Sequence, residues 1–141
     1  RWRNFIMNMK ELTIKYKGPN YDLSCSEAIL YAANDRYQLN LNESHFHMVS
    51  PFSGGMLNED VCGIVTAGLC VIGILFTNEV AHKTDNLREI SNLFMDKVKE
   101  QLKSTNCFTL KELHRDDVTG CTGIIIKGAE LLEEVITQYE R

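Results

Sequence analysis

An uncharged, mostly apolar stretch from residue 61 to residue 76 constrains the fold of this chain most. Three glycines interrupt its apolar side chains, and it is shorter than the roughly 20 apolar residues that a membrane-spanning helix needs. A central buried helix over residues 59–76 is therefore the better prediction, with Asn58 or Asp60 as its N-cap. That helix places Cys62 in its first turn.

Helical periodicity also marks the N-terminal third of the chain. Apolar residues recur three or four positions apart ahead of the Gly-Pro pair at 18–19: Phe5, Met9, Leu12 and Tyr16. Ser24 and Glu27 then have the spacing of a capping box, which predicts a second helix from Cys25 to about Tyr37.

The C-terminal part shows the same pattern. We predict a short helix over residues 42–50, a long helix that starts at residues 84–86, a short helix headed by a capping box at Thr109-x-x-Glu112, and a last helix after Cys121. The apolar stripe of the long helix consists of Leu87, Ile90, Phe94, Val98 and Leu102. A short strand at residues 123–126 is a weaker alternative, since it has no partner.

These elements predict one all-α domain, a bundle of about five to six helices around the central buried helix. Residues 1–20 would form an N-terminal helix, and residues 21–141 the cysteine-containing part. The net charge of -4 offers no basic surface for nucleic acid, and we expect no membrane contact. An apolar leader is not visible, so a reducing cytoplasm is the default location.

The five cysteines are the chemically most informative residues. Four of them lie at or just before predicted helix starts: Cys25, Cys62, Cys107 and Cys121. The partial positive charge of a helix N-terminus stabilises a thiolate, so we expect lowered thiol pKa values there. Cys70 sits inside the central apolar run and is expected only to pack. The chain contains no C-x-x-C pair, which disfavours a zinc ribbon or a thioredoxin-type motif.

Short motifs in a fixed order resemble one known pattern. They are residues 21–30 around Cys25, the Phe-Ser-Gly-Gly-Met run at 52–56, Val61-Cys62-Gly63, Asn106-Cys107 and Cys121. From about Tyr21 to the C-terminus the chain resembles the C-GCAxxG-C-C family of putative redox-active proteins. The resemblance implies a helical redox domain whose characteristic cysteines are Cys25, Cys62, Cys107 and Cys121.

The chain departs from the family at its central motif, where Cys-Gly-Ala-x-x-Gly is expected. Ile64 replaces the alanine and Ala67 replaces the second glycine, while Gly68 comes one residue late. Both replacements are bulkier, so we expect the closest helix contact to loosen without loss of the cysteine chemistry. Covalent haem, found in related helical domains of split-Soret cytochromes, is not expected because the chain has no C-x-x-C-H motif.

Two mechanisms fit four thiols gathered from four helix starts. A pair such as Cys25 and Cys62, the expected reactive pair, could cycle between dithiol and disulfide. Alternatively, all four sulfurs could bind one centre, either an iron–sulfur cluster or zinc. The sequence does not identify the redox partner in either case, and a homodimer stays open.

A different class stays open, a helical binding or scaffold module whose cysteines only pack. The histidines do not favour a further site. His45 and His47 flank Phe46 on a short polar helix, which is more often a solvated face than a metal site, and His82 and His114 read as surface residues.

Overall fold

Seven α-helices make up the protein in a computed structural model, which describes residues 7–140. They are α1 (Met9–Tyr16), α2 (Cys25–Tyr37), α3 (Glu43–Val49), α4 (Gly63–Phe76), α5 (Leu87–Leu102), α6 (Cys107–His114) and α7 (Thr122–Tyr139). The all-α bundle is thus confirmed, and the count exceeds the predicted five to six because the short helices α3 and α6 both form. Within residues 7–140 there is no strand, and residues 123–126 belong to α7.

The start of α2 follows directly from its sequence. The Ser24 backbone N–H donates to Glu27 Oε1 (2.9 Å), and the Glu27 N–H donates in return to the Ser24 hydroxyl (3.4 Å). This reciprocal capping box satisfies two donors that a helix N-terminus otherwise leaves free. Cys25 is consequently the first residue of α2, as predicted.

Helix α4 begins four residues later than predicted. It starts at Gly63, so Cys62 is its N-cap residue rather than part of its first turn. The prediction of a start at Glu59 is wrong because residues 54–59 form a left-handed turn, in which φ is positive at five positions: Gly54, Gly55, Met56, Leu57 and Glu59. Neither Asn58 nor Asp60 caps the helix.

Helix α6 begins earlier than predicted, at Cys107. Asn106 is its N-cap, and the Asn106 Oδ1 accepts the Thr109 backbone N–H at 2.9 Å. Thr109 is therefore the third residue of the helix, and the predicted capping box at Thr109-x-x-Glu112 is wrong. Asparagine is among the best N-cap residues, which explains why the helix starts there.

Helix α4 lies at the centre of the bundle, where it packs against α2, α5 and α7. Helix α1 covers α2 and α7; Phe5, which was assigned to its apolar face, lies outside the described residues. The predicted stripe of α5 is confirmed, since Ile90, Phe94, Val98 and Leu102 are buried. In the described part of the chain, no helix is long and apolar enough to cross a membrane.

The departures from the family motif do not open the core. Ile64 is fully buried and faces Gly128 of α7, where an added Cβ would lie 2.9 Å from the isoleucine side chain. Gly68 faces the ring of Phe94, and an added Cβ would approach that ring to under 3.0 Å. Close helix contacts are thus present on both sides of α4.

A candidate redox site at four helix starts

The four cysteines from helix starts line one cavity of about 220 Å³. Cys25 is the first residue of α2 and Cys107 the first of α6, while Cys62 and Cys121 are the N-cap residues of α4 and α7. This cavity, called the thiol cavity below, is completed by Lys17, Ser24, Gly54, Lys111, Ile124 and Ile125. Residues far apart in sequence thus surround a single space.

A short antiparallel contact fixes two of these cysteines relative to each other. Val61 and Asn106 form an isolated bridge, the Cys62 N–H donates to the Thr105 carbonyl (2.8 Å), and the Cys107 N–H donates to the Asp60 carbonyl (2.5 Å). Both cysteines directly follow a bridged residue. Because side chains alternate along an extended segment, Cys62 and Cys107 lie on the same side of this contact.

Glycine permits the closest approaches around the cavity. An added Cβ on Gly63 would come closer than 3.0 Å to the Cys25 Sγ, so this sulfur lies against the backbone directly after Cys62. An added Cβ on Gly55 would likewise meet the Cys107 Cβ, and Gly55 also has a positive φ of 69°. Any larger residue at either position would displace a cysteine.

Burial determines the protonation of Cys62. The side chain is 6 % exposed, and burial raises its pKa to about 12. A hydrogen bond from the Ile64 backbone N–H opposes this shift, while the neighbouring Cys25, Cys107 and Cys121 add to it. The expected lowering of the thiol pKa at a helix start is therefore wrong for Cys62, because desolvation of the thiolate outweighs the helix terminus.

Cys107 is similarly buried, at 5 % exposure, and burial raises its pKa. The Lys111 ammonium, one helical turn further along α6, acts in the opposite direction. The Lys111 Nζ also lies 3.2 Å from the Glu59 Oε2. A second ammonium reaches the cavity from Lys17, whose Nζ donates to the Leu23 carbonyl at 2.7 Å.

Access divides the four thiols into two pairs. Cys62 and Cys107 are buried, whereas Cys25 and Cys121 are partly exposed. A reagent or protein that approaches the thiol cavity therefore meets Cys25 or Cys121 first. The sequence could not separate these pairs, because all four have the same helix-start signal.

The donor set of the thiol cavity consists of four cysteine thiols. All five cysteines are free thiols, and no three His, Cys, Asp or Glu side chains among residues 7–140 are arranged to hold a metal ion. Four thiolates are the usual ligands of an iron–sulfur cluster and also form structural zinc sites.

Cys70 stands apart from this site. It is partly buried in α4 and packs against the core, and it does not line the thiol cavity. Burial alone raises its pKa, whereas the pKa values of Cys62 and Cys107 also respond to other cysteines. The interpretation of Cys70 as a packing residue is consistent with this position.

The histidines lie outside the cavity. His45 Nδ1 accepts the Asn42 backbone N–H (3.2 Å) at the start of α3, and His114 Nε2 lies 2.8 Å from the Leu102 carbonyl. His47 and His82 are exposed. These are surface and helix-end roles, in keeping with the sequence-based interpretation.

Sequence reasoning did not include the two lysines in the site. Lys111 had a usable signal, because it follows Cys107 by four residues and therefore shares its helix face. Lys17 had none, since it lies beyond the end of α1 and reaches the cavity only through the packing of α1 beside α2.

Comparison with known proteins places the chain in a family. The sequence model of the putative redox-active protein family C_GCAxxG_C_C matches residues 23–135, which include all four cysteines of the cavity. No curated protein and no solved structure matches the chain. The match covers well over half of the sequence, and the chain therefore belongs to the C_GCAxxG_C_C family of putative redox-active proteins.

Proposed function

We propose that this protein transfers electrons through an iron–sulfur cluster held by Cys25, Cys62, Cys107 and Cys121. The observation that carries the proposal is that four thiols from four separate helices line one cavity. When bound, such a cluster supplies one-electron redox chemistry at a potential set by its surroundings. Family membership supports the redox function in general.

The residues around the cavity suit a negatively charged centre. Ile124 and Ile125 form an apolar wall that excludes water. Lys17 and Lys111 provide two ammonium groups that offset the charge of four thiolates. Ligation requires deprotonated sulfur, so cluster binding would displace the protons that burial retains on Cys62 and Cys107.

The test is chemical analysis of the full chain purified without oxygen. We expect iron and acid-labile sulfide in the protein, with sulfur-to-iron charge-transfer absorption. Cys70→Ala should retain both, because Cys70 lies outside the cavity, and Cys25→Ala should lose them. Protein that contains neither iron nor sulfide, even after anaerobic reconstitution, would refute the cluster.

Thiol–disulfide exchange is a second candidate, supported by the position of Cys25. Its sulfur is partly exposed and lies against Gly63, directly beside buried Cys62. Cys25 would attack an external disulfide and Cys62 would resolve the mixed disulfide; oxidation of the dithiol releases two electrons and two protons to the substrate. Thiol counts that fall by two without reductant, in metal-free protein, would favour this candidate.

The scaffold alternative has its own signature in the same experiments. It requires that the cysteines form no disulfide with one another and that the protein binds no metal under any condition. Native mass spectrometry of the same samples would reveal the homodimer, whose formation is a further proposal. We also propose a reducing compartment such as the cytoplasm, because an odd number of five cysteines does not suggest a disulfide framework.

A further inference from the structure

The left-handed turn, residues 54–59, has a backbone that its sequence does not favour. Four successive residues from Gly54 to Leu57 have positive φ, and Glu59 follows with φ 53°. Left-handed conformations are routine for glycine but strained for Met56 (φ 64°) and Leu57 (φ 57°). Runs of left-handed residues are unusual, so the surrounding structure must hold this segment in place.

Little of the turn is buried. Met56 is 45 % exposed and Leu57 is 73 % exposed, so neither large apolar side chain is packed into the core. Within the segment, the Asp60 N–H donates to the Gly55 carbonyl at 2.8 Å. Strain and exposure are features of a segment that opens locally while the rest of the fold stays intact.

Two side-chain contacts fasten the turn to the start of α6. The Glu59 Oε2 lies 3.2 Å from the Lys111 Nζ, and the Asn106 Nδ2 donates to the Glu59 carbonyl at 3.4 Å. The first contact is an exposed ion pair, which is weak and readily broken. The turn is therefore held on α6 by contacts that can open without unfolding either helix.

The same turn covers part of the thiol cavity. Gly54 lines the cavity, and Gly55 packs against the Cβ of Cys107. The Cys107 N–H donates to the carbonyl of Asp60, directly after the turn. Movement of the turn away from α6 would release this hydrogen bond and uncover Cys107, which is now 5 % exposed.

We infer that residues 54–59 are a lid over the thiol cavity, fastened by the Glu59–Lys111 ion pair. When the lid opens, Cys107 becomes accessible to molecules that deliver a redox centre to the cavity or that react with its thiols. This inference uses the proposed function only in taking the cavity as the working site. It makes no assumption about which redox centre the cavity holds.

Amide hydrogen exchange tests the lid in reduced, metal-free, full-length protein. Glu59→Gln should accelerate exchange of the Asp60 and Cys107 amides about two- to five-fold, as expected from loss of an exposed ion pair. Rates are compared after correction for intrinsic exchange. Amides of the buried middle of α4 and α5 should keep their rates, because the lid opens without global unfolding.

Glu79 provides a matched control. It also has a positive φ, of 52°, and also pairs with a lysine, with its Oε1 3.4 Å from the Lys83 Nζ, but it lies outside the cavity. Glu79→Gln should leave the Asp60 and Cys107 amides unchanged. Equal acceleration by both substitutions, or none by Glu59→Gln, would overturn the lid.

A substitution that should slow amide exchange, rather than accelerate it, provides a further test. Asparagine tolerates positive φ better than leucine, so Leu57→Asn should slow exchange of both amides.

Thiol labelling measures how accessible Cys107 is to reagents. Glu59→Gln should raise the rate ratio of a bulky maleimide to a small methanethiosulfonate at Cys107, because thiolate content affects both reagents alike. An unchanged ratio would overturn the inferred control of access. Because all of these measurements use metal-free protein, their results do not depend on whether a cluster binds.

Discussion

Substitution of Gly63 by alanine tests the geometry of the cysteine site most sharply. Gly63 is the first residue of α4, and alanine is normally the better helix former, by about 0.5–1 kcal/mol in a helix interior. Here, however, the new Cβ would come closer than 3.0 Å to the Cys25 Sγ. It would also lie 3.1 Å from the Phe52 carbonyl oxygen and 3.2 Å from the Ser26 nitrogen.

The size of the destabilisation by Gly63→Ala depends on which of the contacted atoms can move away from the new Cβ. The Phe52 and Ser26 contacts are backbone atoms, so the Cys25 side chain must yield or the helices must separate. Overpacking of this kind costs about 1–3 kcal/mol. We therefore expect Gly63→Ala to lower the free energy of unfolding by about 1–2 kcal/mol, measured by urea denaturation of reduced, metal-free protein.

The same helix offers a matched control. An added Cβ on Gly73 meets only the Thr77 Oγ1, at 4.0 Å, so Gly73→Ala should stabilise the protein by about 0.5–1 kcal/mol. Removal of the sulfur should reverse the cost, so that Gly63→Ala is much less damaging in a Cys25→Ala background. If Gly63→Ala matched Gly73→Ala, or if Cys25→Ala gave no rescue, the placement of the Cys25 sulfur would be refuted.

Three further predictions concern protonation, packing and capping. Because burial raises the pKa of Cys62 to about 12 while unfolded thiols ionise near 8.5, the free energy of unfolding should fall as pH rises above about 9. Cys62→Ala should remove about 1.4 kcal/mol per pH unit of that slope in urea titrations, and equal slopes in both proteins would contradict the buried thiol. Gly128→Ala should cost about 1–3 kcal/mol against Ile64 and less when Ile64→Ala is also present; strictly additive losses in this double-mutant cycle would argue against the contact. Asn106→Ala should cost about 1 kcal/mol in the same assay, whereas Asn86→Ala should cost little, because Asn86 makes no capping bond to the described residues; equal losses would remove the capping role of Asn106.

Local signals in the sequence correctly predicted two features that depend on residues three or four positions apart. The capping box of Ser24 and Glu27 correctly placed the start of α2, and the periodic stripe of α5 correctly identified its buried face. Both features arise from contacts three or four residues apart, so the sequence carries them directly.

The start of α4 could not be predicted in this way. Met56 and Leu57 favour right-handed backbone, and a continuous helix from Glu59 is the local preference. The left-handed turn is held instead by distant residues, through the Val61–Asn106 bridge and the hydrogen bond from Cys107 to Asp60. Tertiary contacts of this kind are invisible in a single sequence.

The thiol cavity has some features that local sequence predicts and others that only tertiary packing determines. The helix-start signals and the family resemblance both pointed to the four cysteines that line the cavity. The pKa of Cys62 was predicted with the wrong sign, because its burial depends on how α4 packs against the other helices. The distinction between buried and accessible thiols likewise arises only from the assembled fold.

The central claim is that four cysteines act as one redox site and the fifth does not. The most direct test is the anaerobic absorption spectrum of five single Cys→Ala variants, each purified and reconstituted in the same way. We predict that variants of Cys25, Cys62, Cys107 and Cys121 lose or alter the charge-transfer bands, while Cys70→Ala keeps the spectrum of the unmodified protein. A variant of the four that matched Cys70→Ala, or a Cys70→Ala that lost the bands, would contradict the claim.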